Sequence, residues 1–281
     1  MRTFAIMDGS FIQQYRDRKY GMNQDDKLNP DDRDFVTALA SGLEVLQAFD
    51  QNSPRMTLSE VAAKTGMNRA KARRFLLTLH ALDYLKKQHR HFELTPKVLQ
   101  LGHAFLSVNR YGTMIQPYLE DMTRQINEST SLGILDGDEV VYIARSAAEH
   151  RLMAIQLSVG TRLPAAYTSM GRVLLAQLST AELDTFLKQV RLQAHTERSI
   201  VDSDALRQVL EEVRVQGYAI VDQELDSGLR SVAVPVFDRQ GFLLGAINIS
   251  TNAARVDMET LRERFLPLLQ EKAGLIRMAV H

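Results

Sequence analysis

The chain has 281 residues, with 34 Lys and Arg balanced by 34 Asp and Glu, 45% hydrophobic residues and no cysteine. That length gives room for about two domains with a sizeable core in each, and the near-average globular composition excludes a disordered or collagen-like chain. The lack of cysteine excludes disulfides, thiolate zinc sites, iron-sulfur clusters and thiol nucleophiles, and it fits a reducing compartment.

The apolar stretch that begins at Thr3 stops at Asp8, too early for the roughly 7 to 15 residues of a signal-peptide core. Runs such as 232–237, interrupted by Pro235, fall well short of the roughly 18 residues of a membrane span. A soluble, cytoplasmic protein with no membrane partner is expected. Residues 1–33 pass through Met22 and an acidic, polar stretch to Asp34, and read as a disordered or dispensable extension. Met1 and Met22 are both open as the start, and Phe4, Ile6, Phe11, Ile12 and Tyr15 leave room for a short helix that docks on a partner subunit.

Charge is unevenly spread. Residues 54–97 hold ten basic side chains against three acidic ones, a surplus of seven that the rest of the chain cancels. A basic module tied to an acidic one points to a polyanion partner, although a solvated charged face is the plainer reading of charge alone. The layout favours the partner. Residues 35–49 carry apolar side chains at helical spacing until Gln51-Asn52-Ser53-Pro54 breaks it. Thr57-Leu58-Ser59-Glu60 has the capping-box spacing and opens a short second helix that ends at Gly66. Asn68 then caps a third helix that buries Ala72, Phe75, Leu76, Leu79 and Leu82.

At about 100° per residue from Ala72, Arg73 and Lys71 fall on the flanks of this helix, with Ala70 and Arg74 on the far face. A small residue among cations suits a helix lying in a major groove, where Arg reaches guanine edges or phosphates. Residues 84–87 and 91–95 flank Gln88-His89-Arg90 as a hairpin with a basic tip, a wing. The candidate DNA contacts are Thr57, Ser59, Asn68, Arg69, Lys71, Arg73, Arg74, His89 and Arg90.

This order of elements, followed by Pro96-Lys97-Val98-Leu99-Gln100-Leu101-Gly102, resembles the winged helix-turn-helix and linker of the IclR family of bacterial transcription regulators. Residues 34–46 are similar in particular to the branch that controls aromatic-acid catabolism through the β-ketoadipate pathway, and the resemblance extends over about residues 34–280. It implies an α+β protein. A winged helix-turn-helix domain at 34–95 is joined by a linker helix at 96–110, which helps form dimers, to a GAF-like α/β effector-binding domain at 111–281 with a mainly antiparallel sheet.

The residues of that second part support a sheet with helices. A helix is expected at 113–128; 131–135 and 140–144 flank Asp136-Gly137-Asp138, a strong hairpin signal; and 151–159 reads as a further strand. Residues 160–172 then form a loop running into the helical Val173-Leu174-Leu175-Ala176, which resembles the family's effector-domain signature. Thr168 or Ser169 caps that helix, and Gly171 allows close approach to amides at its positive end, where an anion could be held without a buried cation; a routine helix cap is the alternative.

A last hairpin, 229–237 with 242–250 around Asp238-Arg239-Gln240-Gly241, changes the balance. Pairing Phe237 with Phe242 sets Ala233 opposite Ala246, Ser231 opposite Asn248 and Leu229 opposite Ser250, all on one face. Val232, Val234, Val236, Leu243, Ile247 and Ile249 take the other face, as core. A small, polar face offers a cavity with convergent polar groups, or simply a wet sheet surface. Residues 217–236 look like the family's second signature. By that resemblance Ser169, Met170, Gly171, Glu224, Ser231, Asn248 and Ser250 match effector-contacting positions. Val221 stands where family members that bind small oxoacids carry an acid, which implies a less hydrophilic, aromatic ligand.

The seven histidines show no metal-binding spacing, the segment Thr168-Ser169-Met170-Gly171 has Tyr167 where a nucleophile elbow needs its first glycine, and no phosphate-binding or dinucleotide fingerprint occurs. No catalytic residue, metal or cofactor is expected. The sequence thus points to a ligand-responsive regulator of aromatic catabolism. It would bind double-stranded operator DNA and sense protocatechuate, 4-hydroxybenzoate or β-ketoadipate, an aromatic or dicarboxylic acid, as a homodimer or homotetramer. Activation and repression are both open, as is RNA polymerase as a partner. The alternative is a small-acid-binding enzyme or carrier whose basic N-terminal domain serves assembly.

Overall fold

The computed structural model describes residues 28–50, 52–108, 111–148 and 157–280, which fall into two compact units parting between 109 and 110. The extension expected at 1–33 lies largely outside the described residues, as does most of the strand expected at 151–159; its described end, 157–159, is not strand. Among the described residues no helix is long and apolar enough to cross a membrane.

The first unit runs α1 (Thr37–Gln47), β1 (Arg55–Thr57), α2 (Leu58–Lys64), α3 (Arg69–Ala81), β2 (Leu85–Gln88), β3 (His91–Leu94), a 3-10 turn at Pro96–Val98 and α4 (Leu99–Val108). Capping chemistry sets the helix starts. The Thr57 hydroxyl accepts from the Glu60 amide while the Glu60 carboxylate accepts from the Thr57 amide, and the Asn68 side chain accepts from the Lys71 amide at 2.8 Å. Between α2 and α3 the chain turns at Gly66, whose φ of 65° suits glycine. Val45, Phe49, Met56, Val61, Leu76, Leu79, Leu85 and Phe92 form one core. β1 was absent from the sequence reading and pairs with β3, so the sheet order is β1-β3-β2. Of the stripe expected on α3, Ala72, Leu76 and Leu79 are buried, Phe75 is half-buried and Leu82 is exposed, because the helix ends at Ala81 and Leu82 is its C-cap. The linker helix is likewise split: Pro96 starts a 3-10 turn and regular helix begins at Leu99.

The second unit opens with α5 (Tyr111–Ile126), two residues earlier at each end than expected, and then builds six antiparallel strands. These are β4 (Ser129–Asp136), β5 (Glu139–Ser146), β6 (Arg162–Pro164), β7 (Ala219–Asp222), β8 (Leu229–Phe237) and β9 (Leu243–Asn252), in the order β6-β5-β4-β9-β8-β7. The helices are α6 (Ser169–Leu175), α7 (Thr180–Gln189) and α8 (Ser203–Gln216), then a short α9 (Met258–Thr260) that leads through a π-helical turn into α10 (Leu266–Ala279). One sheet face packs Leu132, Val232, Val234, Val236, Ile247 and Ile249 against α5 and α10. The opposite face meets α6 and its neighbours over Tyr142, Ala233 and Ala246.

The β8–β9 register differs from the one expected. Ser231 opposes Ser250, Ala233 opposes Asn248 and Pro235 opposes Ala246, a shift of two residues. The cause is local: Phe237 pairs with Leu243 while Val236 pairs with Gly245, so Leu244 is bulged out of the ladder. Leu243 consequently joins the α6 side and Leu244 the α5 side, the reverse of the expectation for Leu243. Gly245 is required at this point because a Cβ there would lie 2.6 Å from the Gly133 carbonyl oxygen.

Candidate functional site

Two sites emerge, one in each unit. On α3, Arg69, Ala70, Arg73 and Arg74 are exposed and Lys71 is half-buried, while Ala72, Leu76 and Leu79 anchor the opposite side. Three cations elsewhere in the unit are neutralised: Arg55 and Lys86 both pair with Glu93, and Lys64 with Asp50. Among the described residues no acid pairs with Arg69, Lys71, Arg73 or Arg74, so the positive potential concentrates on one helix face. The wing tip adds exposed His89, at a φ of 54°, and exposed Arg90. Thr57 and Asn68 have their side-chain acceptors engaged in capping, and Ser59 is exposed near the start of α2.

The second site is a narrow cavity between the sheet and α6, with room for little more than a water molecule. Ser231, Asn248, Ser250 and Thr168 supply polar groups, and Tyr142, Tyr167, Val221 and Leu225 supply apolar walls. Asn248 is buried and donates from Nδ2 to Ser250 Oγ at 2.9 Å, but among the described residues its Oδ1 has no partner, and Ser169 Oγ, also buried, has none either. An orphaned buried polar atom costs about 1 to 3 kcal/mol, which a protein retains where a ligand will satisfy it. Burial pushes the Tyr142 hydroxyl up to about 12, so it stays protonated and can donate.

The remaining expected contacts serve the cavity's frame. Met170 is fully buried, its sulfur packed over Gly133 of β4. Thr168 caps α6 by accepting from the Gly171 amide at 3.0 Å, so that N–H is taken. Gly171 is glycine for a different reason, since a Cβ there would stand 2.1 Å from the Ala165 carbonyl oxygen. Glu224 receives both terminal nitrogens of buried Arg172, at 2.7 and 2.5 Å, while Arg172 Nε donates to the Ala166 carbonyl. That bidentate pair ties α6 to the loop before β8. The amides at 169–171 therefore offer less to an anion than the sequence suggested, and a buried cation does stand nearby, already matched.

The sequence reading missed Tyr142, Tyr167, Arg172 and Arg145. Tyr142 and Arg145 are three apart and would point to opposite faces of a regular strand. Here Gly133 pairs with Tyr142 and Leu132 with Ala144, so Ile143 is an extra residue and Tyr142 and Arg145 share the cavity face. Only the aromatic in a strand signature could have pointed to Tyr142; nothing in the sequence marks the bulge.

Residues 103–277 match the family description "Bacterial transcriptional regulator IclR C-terminal", and residues 38–89 match "IclR helix-turn-helix domain". The chain belongs to the IclR family. Among its IclR-family relatives, the Pca regulon regulatory protein of Pseudomonas putida is 45% identical over 238 residues, covering 85% of this chain and 82% of that one. A crystal structure of a transcriptional regulator from Rhodococcus sp. RHA1 is 45% identical, covers 86% of this chain and 97% of its own, and superposes with a TM-score of 0.76. The inducer-binding domain of the PobR transcription factor from Acinetobacter, a double mutant in complex with 3-hydroxybenzoic acid, is 30% identical with a TM-score of 0.56. It covers 60% of this chain and 98% of its own. This IclR-family chain is thus a DNA-binding regulator with an effector-binding domain, not an enzyme.

Proposed function

We propose that this protein controls genes of aromatic-acid catabolism by binding operator DNA through α3 and the wing and by sensing an aromatic acid in the cavity between the sheet and α6. The observation that carries the effector reading is Asn248, buried in the cavity wall with an acceptor that nothing among the described residues satisfies. The relative named for the Pca regulon and the hydroxybenzoate complex of the PobR domain support the ligand class. On the DNA side, Arg69, Lys71, Arg73 and Arg74 supply contacts within the groove and Arg90 a phosphate contact, with Thr57, Ser59, Asn68 and His89 at the margins. Effector contacts fall to Ser231, Asn248 and Ser250 directly, with Ser169, Met170, Gly171 and Glu224 shaping the wall.

A single winged module covers too little duplex for tight specific binding, so a second copy is required on a two-part operator. Val36, Leu39 and Leu43 on and before α1, and Leu99 and Leu101 on α4, are exposed apolar side chains that suit such self-association, as a homodimer or a homotetramer. The DNA partner supports a cytoplasmic location, where contact with RNA polymerase is the simplest route to activation. Titrating an operator duplex against salt tests the reading: the affinity should fall steeply and linearly on logarithmic axes, and 4-hydroxybenzoate or protocatechuate should shift it. Binding that ignores salt, or that no aromatic acid alters, overturns it.

A further inference from the structure

The sheet face that lines the cavity continues past it. Ser131 of β4 is paired with Asn248 on one side and with Arg145 of β5 on the other, so the three lie in one row across the sheet. The Ile143 bulge turns Arg145 to this face, and its Nη1 reaches Ser131 Oγ at 3.2 Å. Its Nε is buried and without a partner, and among the described residues no carboxylate pairs with the guanidinium. Burial lowers the affinity of Arg145 for its proton, and the neighbouring Tyr142 hydroxyl is protonated. A half-buried guanidinium without an anion is costly to maintain, whereas the buried arginines among the described residues are matched: Arg172 with Glu224, and Arg230 with Asp222.

We infer that Arg145 holds the carboxylate of the effector, and that the site takes an aromatic monocarboxylate carrying a ring hydroxyl. The inference rests on the cavity being the effector site. With Nη1 on Ser131, the Nε edge presents the donors to which a carboxylate binds side-on. Asn248 stands one strand further along the same face, about 4.8 Å across the ladder from Ser131. Asn248 Oδ1, which has no partner among the described residues, is an acceptor; it matches a phenolic O–H and repels a carboxylate placed against it. The row therefore reads acid at one end and hydroxyl at the other, and it selects hydroxybenzoates against aliphatic dicarboxylates.

The test is isothermal titration of the full chain with 4-hydroxybenzoate, 4-hydroxybenzamide and adipate. The parent should bind the acid at least about tenfold more tightly than the amide, and adipate more weakly than the acid. Arg145→Gln should erase the preference for acid over amide while leaving the amide's own affinity nearly unchanged, and Arg145→Lys should restore part of it. An Arg145→Gln chain with the parent's acid-to-amide ratio overturns the assignment. So does a parent that binds acid and amide equally, a result that needs no variant to fold. In both cases binding itself would leave the cavity reading standing. A parent that binds none of the three removes the cavity reading, and this inference with it.

Discussion

Arg172 and Glu224 form the bidentate pair that joins α6 to the loop before β8, and they give the sharpest stability prediction. Both are nearly excluded from water, with side-chain exposures of 3% and 11%, so solvent screening does little to soften their loss. Removing one partner of such a pair costs about 3 to 5 kcal/mol, because the survivor is left as an uncompensated charge. Arg172→Met also strands the Ala166 carbonyl, which adds about 1 to 3 kcal/mol. For a unit of this size each kcal/mol moves the midpoint by about 2 to 4 °C, so Glu224→Gln should melt roughly 6 to 20 °C below the parent. The double variant Arg172→Met with Glu224→Leu should recover much of the loss from either single change, since an apolar pair of similar volume leaves no charge behind. The chain lacks tryptophan, so unfolding is best followed by circular dichroism, in heat and in urea. If Glu224→Gln lowered effector affinity while moving the melting point by less than a degree or so, the carboxylate would be a ligand contact and the structural reasoning would be wrong.

Gly171→Ala should be more damaging than its size suggests, since its Cβ would sit 2.1 Å from the Ala165 oxygen; a destabilisation of at least about 3 kcal/mol in urea is expected, and a neutral result would refute the close approach. Arg74→Ala should weaken operator binding. If Arg74 reads a base, the cost is about 1 to 3 kcal/mol with specificity relaxed at one position, whereas a phosphate contact would lower the salt slope by about one, and gel-shift titrations against salt separate the two. Burial pushes the Asp222 carboxyl up, but Arg230 at 2.7 Å and Arg198 outweigh it and hold the group below its usual range. Its contribution is therefore complete above the ordinary carboxylate pKa and is lost as the pH falls through the depressed one. Acid unfolding below about pH 4 should become less steep in Asp222→Asn, and an unchanged pH profile of the midpoint would count against the pairing.

The elements most legible in sequence were those with local chemistry. Thr57 with Glu60 and Asn68 with the Lys71 amide fixed the starts of α2 and α3, and Asp136-Gly137-Asp138 located the β4–β5 hairpin, because caps and tight turns depend on neighbours a few places away. Register was less legible. The pairing of Phe237 with Leu243 rather than Phe242 and the bulge at Leu244 each displace the β8–β9 register by one, yet the even total preserves which side each residue faces, so Ser231, Asn248 and Ser250 still converge. The bulge at Ile143 inserts an odd residue and reverses the side for everything after it, which is why Arg145 escaped notice. Arg172 escaped for another reason: its partner is 52 positions away, and no periodicity carries information over that distance.

The narrowness of the cavity has a kinetic consequence. Walls that leave space for little more than a water molecule cannot admit a benzene ring by simple collision, so entry waits for α6 or its flanking loops to part from the sheet. In stopped-flow mixing the observed rate should therefore climb with acid concentration and level off at the frequency of opening, a plateau set by the protein and shared by every acid that fits. Departure is gated in the same way. A bound acid is held until the next opening, so no acid, however weakly it is held, leaves faster than the protein opens.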